Sequence, residues 1–422
     1  MKYVIVGNSA AAVRAAEEIR RRDGSGEILM FSRERYLAYS RPLITEYLFD
    51  GVPEHRMSYR NASFYSRRGI DLRLGTEVAG IDAKVRTVRT TDGEERRYDR
   101  LFLGTGGAPF VPSIPGLDKK GVHTMMTWDA AKVLREEIGR YRKAVVLGGG
   151  LIGMKTAEGL FEAGVDTTVV ELAPQILGRI LDREGAQLYE EHLRSKGMGI
   201  VTGDTIAGID GAERVERVTL RGGRVLECGL LVVGVGVVPN VGLAKAAGIA
   251  VNRGIVVDRR METSVPGIFA GGDAVESYDI LAKGNRLNAI WPVANAHGKV
   301  AGANMAGGNE TFRGAVPKNS LQVAGLAMIS AGIVDPPGDP GYVEMTAARG
   351  DGPSYRKLIF KGDLLEGAIF VGEIDKAGIA TGLIESETPV PGDKSWLLSG
   401  EPVTTQLTRG WRDAHLARPV AR

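Results

Sequence analysis

Residues 144–171, AVVLGGGLIGMKTAEGLFEAGVDTTVVE, constrain the fold more than any other stretch of the chain. Val145, Val146 and Leu147 make a short apolar run of the kind a strand buried on both faces requires. Gly148, Gly150 and Gly153 then fall on a G-x-G-x-x-G spacing, and Ala157, Leu160, Phe161 and Ala163 follow at roughly helical intervals. Gly164 stops the helix, and a second apolar run closes on Glu171. In such a strand–turn–helix–strand unit the first glycine allows the tight turn. The second lets backbone approach a pyrophosphate, and the third lets helix and strand pack closely. The phosphates meet the free N–H groups and positive dipole end of the helix. Glu171 stands where a carboxylate can bind a ribose 2′-hydroxyl, so Gly148, Gly150, Gly153 and Glu171 are the expected dinucleotide-binding residues.

The unit recurs near the start of the chain in weaker form. An apolar strand at residues 2–6 leads into Gly7-Asn8-Ser9-Ala10-Ala11-Ala12, where Ser9 and Ala12 stand in for the second and third glycines. A helix to about Arg22 and a strand at residues 28–31 follow, but Ser32 and Arg33 displace the expected acid to Glu34. Two such units imply two nucleotide ligands, and two adjacent dinucleotides suit an enzyme in which one passes electrons to the other.

With 422 residues, the chain has room for two to three domains. Its charged fraction of 25% and net charge of +3 give no argument for nucleic acid or a membrane surface. Its one cysteine, Cys228, excludes an intrachain disulfide and a cysteine metal site, and no metal is expected. The chain opens directly on a strand, and no uncharged run is long enough to span a bilayer, so cytoplasmic residence is the expectation.

Between the two units, residues 36–51 read as irregular and then helical, with Pro42 near the helix start. Residues 78–97 read as hairpin-like strands around Asp92-Gly93, and residues 111–116 form a proline-rich crossing that suits a domain boundary. Further on, a short strand points at Gly271-Gly272-Asp273, ahead of a helix over about 294–305. From about residue 310, strands alternate with Gly/Pro turns, and residues 355–382 read as a two-strand hairpin leading into a helix. The expected architecture is α/β, with two Rossmann-like dinucleotide-binding domains and a C-terminal α+β domain. The expected division is residues 1–115 with 250–309, 116–249, 310–400, and a tail over 401–422.

Four patterns stand in one order: the degenerate turn at Gly7, Thr105-Gly106-Gly107-Ala108-Pro109, the strong turn at Gly148, and Thr263-Ser264 leading to Gly271-Gly272-Asp273. In this the chain resembles the pyridine nucleotide-disulfide oxidoreductase superfamily of two-dinucleotide flavoproteins, nearest its NADH oxidase, rubredoxin reductase and nitrite-reductase flavoprotein branch. The resemblance implies that Gly7, Ser9 and Ala10 line the pyrophosphate of a non-covalent FAD, and that Glu34, or Arg33 beside it, meets the adenosine ribose. It further implies that the Val78 backbone reads the adenine, and that Thr105 and Gly106 lie beside the flavin. Asp273 would bind the ribityl and pyrophosphate region, Trp291 would lie near the flavin ring, and Arg41 and Pro42 would belong to the FAD loop. Ile152 would join Gly148, Gly150, Gly153 and Glu171 in holding NADH, and Gly234 and Gly236 match a turn close to the nicotinamide. Glu171 disfavours a 2′-phosphate, which makes NADH the expected cofactor over NADPH.

Many relatives carry a redox cysteine in the loop after the second strand; residues 38–47 here have none. Thiol chemistry is thereby excluded. What the resemblance leaves is hydride transfer from NADH to flavin N5 and onward passage of electrons, with the cofactors carrying that chemistry. Ferredoxin-reductase-like relatives read R-P-P-L-S-K in this loop and end the second turn in G-x-x-G-x-E, with the Lys and Glu paired beside the flavin. Here the loop ends on Glu46 and the turn on Lys155, a reversal of both charges. A swapped Glu46–Lys155 ion pair is expected, with these two as the catalytic residues. The C-terminal domain resembles the dimerisation domain of the superfamily and implies a homodimer. The function expected is delivery of electrons from NADH to a small iron–sulfur protein or rubredoxin. Direct use of O2 is the rival, and a poorly turning-over redox sensor the second.

Overall fold

The computed structural model of the chain describes residues 1–399 apart from 126, 337 and 349–352. The tail expectation for residues 401–422 lies outside the described residues.

Two parallel five-stranded sheets form the body. In the first, the order is Ile268–Ala270, Arg100–Leu103, Lys2–Val6, Glu27–Ser32, Ile70–Leu74. The order of the second is Gly199–Thr202, Asp166–Glu171, Lys143–Leu147, Leu230–Val233, Val122–Thr124. Both central strands are apolar runs buried on both faces, as strands covered by helices on either side must be. Each sheet carries an antiparallel three-stranded appendage, one over residues 78–97 and one over residues 206–227. These are two Rossmann-like modules. The chain passes between them through Gly107–Pro109 and Val237–Pro239, which pair antiparallel.

The C-terminal module is an antiparallel sheet in the order Lys318–Val323, Leu326–Gly332, Leu364–Val371, Tyr355–Lys361, Tyr342–Ala348, with helix Ala377–Ser386 packed on it. One helix differs from expectation. It runs Trp291–Met305 and starts earlier than about residue 294, because proline in its first turn carries the φ a helix needs and lacks only a donor that would be unpaired there anyway. A strand pair, Val275–Asp279 with Gly284–Arg286, separates it from Asp273.

The cores divide the molecule unequally. The first module has its own, built on Ile5, Val13, Phe102, Phe269 and Met305. Another core runs without a break from the second module (Met154, Leu160, Leu181, Tyr189) into the C-terminal sheet (Val323, Leu326, Met328, Ile369). It also takes in Tyr47 and Leu48 of the short helix Ile44–Phe49, which lies against helix Leu151–Glu162. Gly159 permits that approach, since a Cβ there would lie 1.9 Å from the Phe49 ring. Gly159→Ala is expected to cost ~1–3 kcal/mol in denaturant unfolding, the usual range for overpacking. Phe49→Ala in the same chain should recover part of that loss; no recovery would place the cost elsewhere.

Candidate dinucleotide sites and the crossing between them

The strands of the first sheet end together, and their carboxyl ends deliver Gly7, Ser32 to Glu34, Gly104 to Gly106, and Gly271 to Asp273 to one edge, where open α/β sheets bind ligands. Gly7 has φ +117°, and a Cβ on it would sit 2.2 Å from the Gly104 carbonyl oxygen. Helix Ala10–Arg22 begins at Ser9, whose side chain does not cap it, so the first-turn N–H groups remain free for an anion. Glu34 and Arg41 face each other across this edge, 2.5 Å between Oε1 and Nη2. Arg33 instead points outward, 3.7 Å from exposed Glu77. The loop leading to Val78 is stitched to the same corner by Gly75 N–H donating to the Glu34 carbonyl and Thr76 N–H to that of Ser32. Burial pushes the Asp273 carboxyl above its ordinary value, and the Arg41 charge pulls it partly back. Beside them the Tyr39 hydroxyl is buried without a hydrogen bond of normal geometry, and burial drives its pKa up. An uncapped helix end, a glycine cradle, a buried carboxyl at Asp273 and the Tyr39 hydroxyl fit the phosphates and hydroxyls of FAD.

His297, which the sequence did not single out, holds this edge from behind. Its Nδ1 accepts from Gly272 N–H at 3.2 Å, leaving Nε2–H to donate to Ser277 Oγ at 3.0 Å. Burial lowers its pKa from 6.5 to about 3. Between those values the unfolded chain binds a proton that the fold refuses, so stability is full above the upper value and drains as pH falls towards the lower. Unfolding free energy is expected to fall by up to ~1.4 kcal/mol per pH unit from this group. His297→Gln should flatten that part of the slope in denaturant unfolding below about pH 6; an unchanged slope would mean the ring is protonated in the fold.

Gly148, in the second module, has φ +112°, and a Cβ on Gly153 would lie 1.8 Å from the Gly148 carbonyl oxygen. Gly150 caps helix Leu151–Glu162 with no side-chain bond, and nothing lies within 4 Å of where its Cβ would be. The three glycines thus show a turn, an open approach and a tight helix–strand contact in the order the spacing predicts. Glu171 is fixed at the end of its strand, its carboxylate accepting from Gly149 N–H at 2.6 Å and Ala173 N–H at 2.8 Å. The open position at Gly150 and the fixed carboxylate of Glu171 fit a pyridine dinucleotide.

The crossing joins the two sites. Thr105 Oγ1 donates to the Asn240 carbonyl at 2.7 Å, Asn240 Nδ2 donates to the Thr105 carbonyl at 2.9 Å, and Asn240 N–H donates to the Gly106 carbonyl at 2.9 Å. Gly236, at φ +117°, accepts from Phe110 N–H. Thr105, Gly106 and Gly236 are therefore brought together, with Asn240 as the residue that sequence reasoning passed over. Trp291 stands on the first turn of its helix, edge-on to the Tyr59 ring at 5.1 Å.

The ion pair expected between Glu46 and Lys155 takes another form. Lys155 Nζ bonds Glu158 Oε2 at 2.6 Å, one turn along the same helix, while the Glu46 carboxylate accepts from Thr45 Oγ1 at 2.9 Å. Glu158 wins because three residues of helix already bring it into reach. Burial alone would lower the Lys155 pKa; Glu158 first, then Glu46 and Asp50 through space, turn the shift upward and hold the ammonium charged. The i,i+3 spacing of Lys155 and Glu158 is the sequence signal for this pair.

A family model described as pyridine nucleotide-disulphide oxidoreductase matches residues 1–298. The chain belongs to that family. A second model, the rubredoxin NAD+ reductase C-terminal domain, matches residues 317–388. The epsilon subunit of NADH-dependent phenylglyoxylate dehydrogenase from Aromatoleum evansii is 34% identical over 392 residues, 92% of each chain. Rubredoxin-NAD(+) reductase of Pseudomonas putida is 33% identical over 65% of this chain and 71% of its own. Among solved structures, a NAD-dependent persulfide reductase from A. fulgidus superposes with a TM-score of 0.86 at 29% identity, covering 92% of this chain and 78% of that one. The reductase in the covalent putidaredoxin reductase–putidaredoxin complex also gives 0.86, at 25% identity and 94% and 96% coverage. As a member of this family the chain is an FAD-dependent NAD(P)H:acceptor oxidoreductase, in the branch to which its motifs pointed.

Proposed function

We propose that the chain takes reducing equivalents from NADH and delivers them to a small redox protein, an iron–sulfur protein or a rubredoxin. The observation that carries this is the fate of its one thiol. Cys228 is 2% exposed, and burial raises its pKa to about 12, so no thiolate is at hand to relay electrons. Bound FAD supplies the hydride-accepting and electron-donating chemistry. Gly7, Ser9, Ala10, Glu34, Arg41 and Asp273 hold it, with Glu34 rather than Arg33 at the adenosine ribose, Val78 at the adenine, and Thr105, Gly106 and Trp291 along the flavin side. Gly148, Gly150, Ile152, Gly153, Glu171 and Gly236 hold the pyridine nucleotide. Glu171 excludes a 2′-phosphate by repulsion, which favours NADH. Lys155, kept charged by Glu158, supplies a fixed positive charge where the two nucleotides meet, and Glu46 moderates it. The C-terminal module suits pairing of two copies as a homodimer. Among the described residues, no helix is long and apolar enough to cross a membrane.

Names of relatives favour a protein acceptor, among them the rubredoxin reductase and the putidaredoxin complex. A second reading, oxidation by O2, is favoured by the NADH oxidase of Methanocaldococcus jannaschii, 32% identical over 74% of this chain and 71% of its own. Stopped-flow reoxidation of the NADH-reduced holoenzyme separates the two. The expected result is faster reoxidation by a rubredoxin or ferredoxin than by air-saturated buffer, and the reverse order would establish the oxidase. Negligible turnover with every acceptor, including ferricyanide, would point to the sensor.

A further inference from the structure

The Glu158 carboxylate, only 10% exposed, divides its two oxygens between different parts of the molecule. Oε2 takes the Lys155 ammonium at 2.6 Å, and Oε1 accepts from Ala324 N–H at 2.9 Å. Ala324 lies at the tip of the hairpin joining Lys318–Val323 to Leu326–Gly332, where the backbone turns left-handed at φ +49°. That tip is seated in the second module by two further side chains. Tyr189 OH accepts from Val323 N–H at 3.1 Å and donates to the Leu326 carbonyl at 2.6 Å, while His192 Nε2 donates to the Ala324 carbonyl at 2.9 Å. Beside Lys155 and Glu158 a cavity of about 240 Å³ opens, lined also by Thr45, Asp50 and Gln322. A lysine facing such a cavity has several staggered positions open to it. A carboxylate bonded on both oxygens from opposite sides has one.

From this geometry we propose that Glu158 is a positioning residue: it fixes the Lys155 ammonium and ties it to the tip of the C-terminal hairpin, so that the seating of the C-terminal module sets where that charge stands. The proposal rests on the reading that Lys155 works where the two nucleotides meet.

The test uses full-length FAD-loaded protein with Lys155→Met, Glu158→Gln and the double variant. It reads flavin reduction by NADH in stopped flow, together with amide hydrogen exchange at residues 323–326. Each single variant is expected to slow reduction, and the double variant to be no slower than Lys155→Met alone. Loss of the lysine should also quicken exchange at the tip ~5-fold, as expected for coupled neighbours in one network. The proposal is overturned if the two losses multiply, or if Lys155→Met leaves exchange at the tip unmoved. Faster exchange with an unchanged reduction rate would uphold the link and instead remove Lys155 from the redox centre. Lys155→Met keeps Glu158 and its acceptor for Ala324, so exchange still reads the link if Glu158→Gln does not fold.

Discussion

Gly153→Ala is expected to cut kcat/KM for NADH by at least ~10-fold and to lower unfolding free energy by ~3 kcal/mol, at the upper end for overpacking, with FAD still bound. A Cβ there would meet the Gly148 carbonyl oxygen at 1.8 Å and its carbon at 2.9 Å, and both atoms are backbone. No side chain can yield, so helix Leu151–Glu162 must lift from its strand and carry its N-terminus away from the turn. Gly150→Ala makes the informative contrast. Its φ of −81° suits any residue and the space around its Cβ is open, so stability should hold within ~0.5 kcal/mol. The KM for NADH should rise nonetheless, because the methyl would occupy the approach of the diphosphate. Flavin absorbance, NADH titration and denaturant unfolding on the two variants check all of this. Wild-type kinetics in Gly153→Ala would mean that the turn does not seat the nucleotide.

Lys155→Glu should lower both stability and the rate of flavin reduction. It puts a new carboxylate against Glu158, with Glu46 and Asp50 close enough to act through space. A fully buried pair broken this way costs ~3–5 kcal/mol; the lysine is about one-third exposed, so ~2 kcal/mol is the appropriate scale. Flavin reduction by NADH should slow sharply, by ~10-fold or more if the charge acts at the developing transition state. Adding Glu46→Lys should recover only part of either loss, because the bond removed is the one to Glu158. Full recovery by Glu46→Lys would reinstate the direct Glu46–Lys155 pair.

The fold was legible wherever a local pattern carries a backbone requirement. The glycines at 148, 150 and 153 each announce a distinct steric demand, and the structure meets them one for one. Gly7 kept the same demand even where Ser9 and Ala12 blurred the rest. What sequence could not supply was the choice among competing partners. Glu46 and Glu158 are both carboxylates within plausible reach of Lys155; a charge-reversal argument favours the first, while three residues of helix decide for the second. His297 and Asn240 escaped for another reason. Each acts through hydrogen bonds to backbone 25 or 135 residues away, and such contacts leave no periodic trace.

The edge strand Ile268–Ala270 belongs to the sheet that Lys2–Val6 begins, and Asp273 follows directly from it. During synthesis from the N-terminus, every strand of the second sheet, Val122–Thr124 through Leu230–Val233, leaves the ribosome before that edge does. The sheet begun first is therefore finished second, and the edge that carries Asp273 closes only after every strand of the second sheet has been translated.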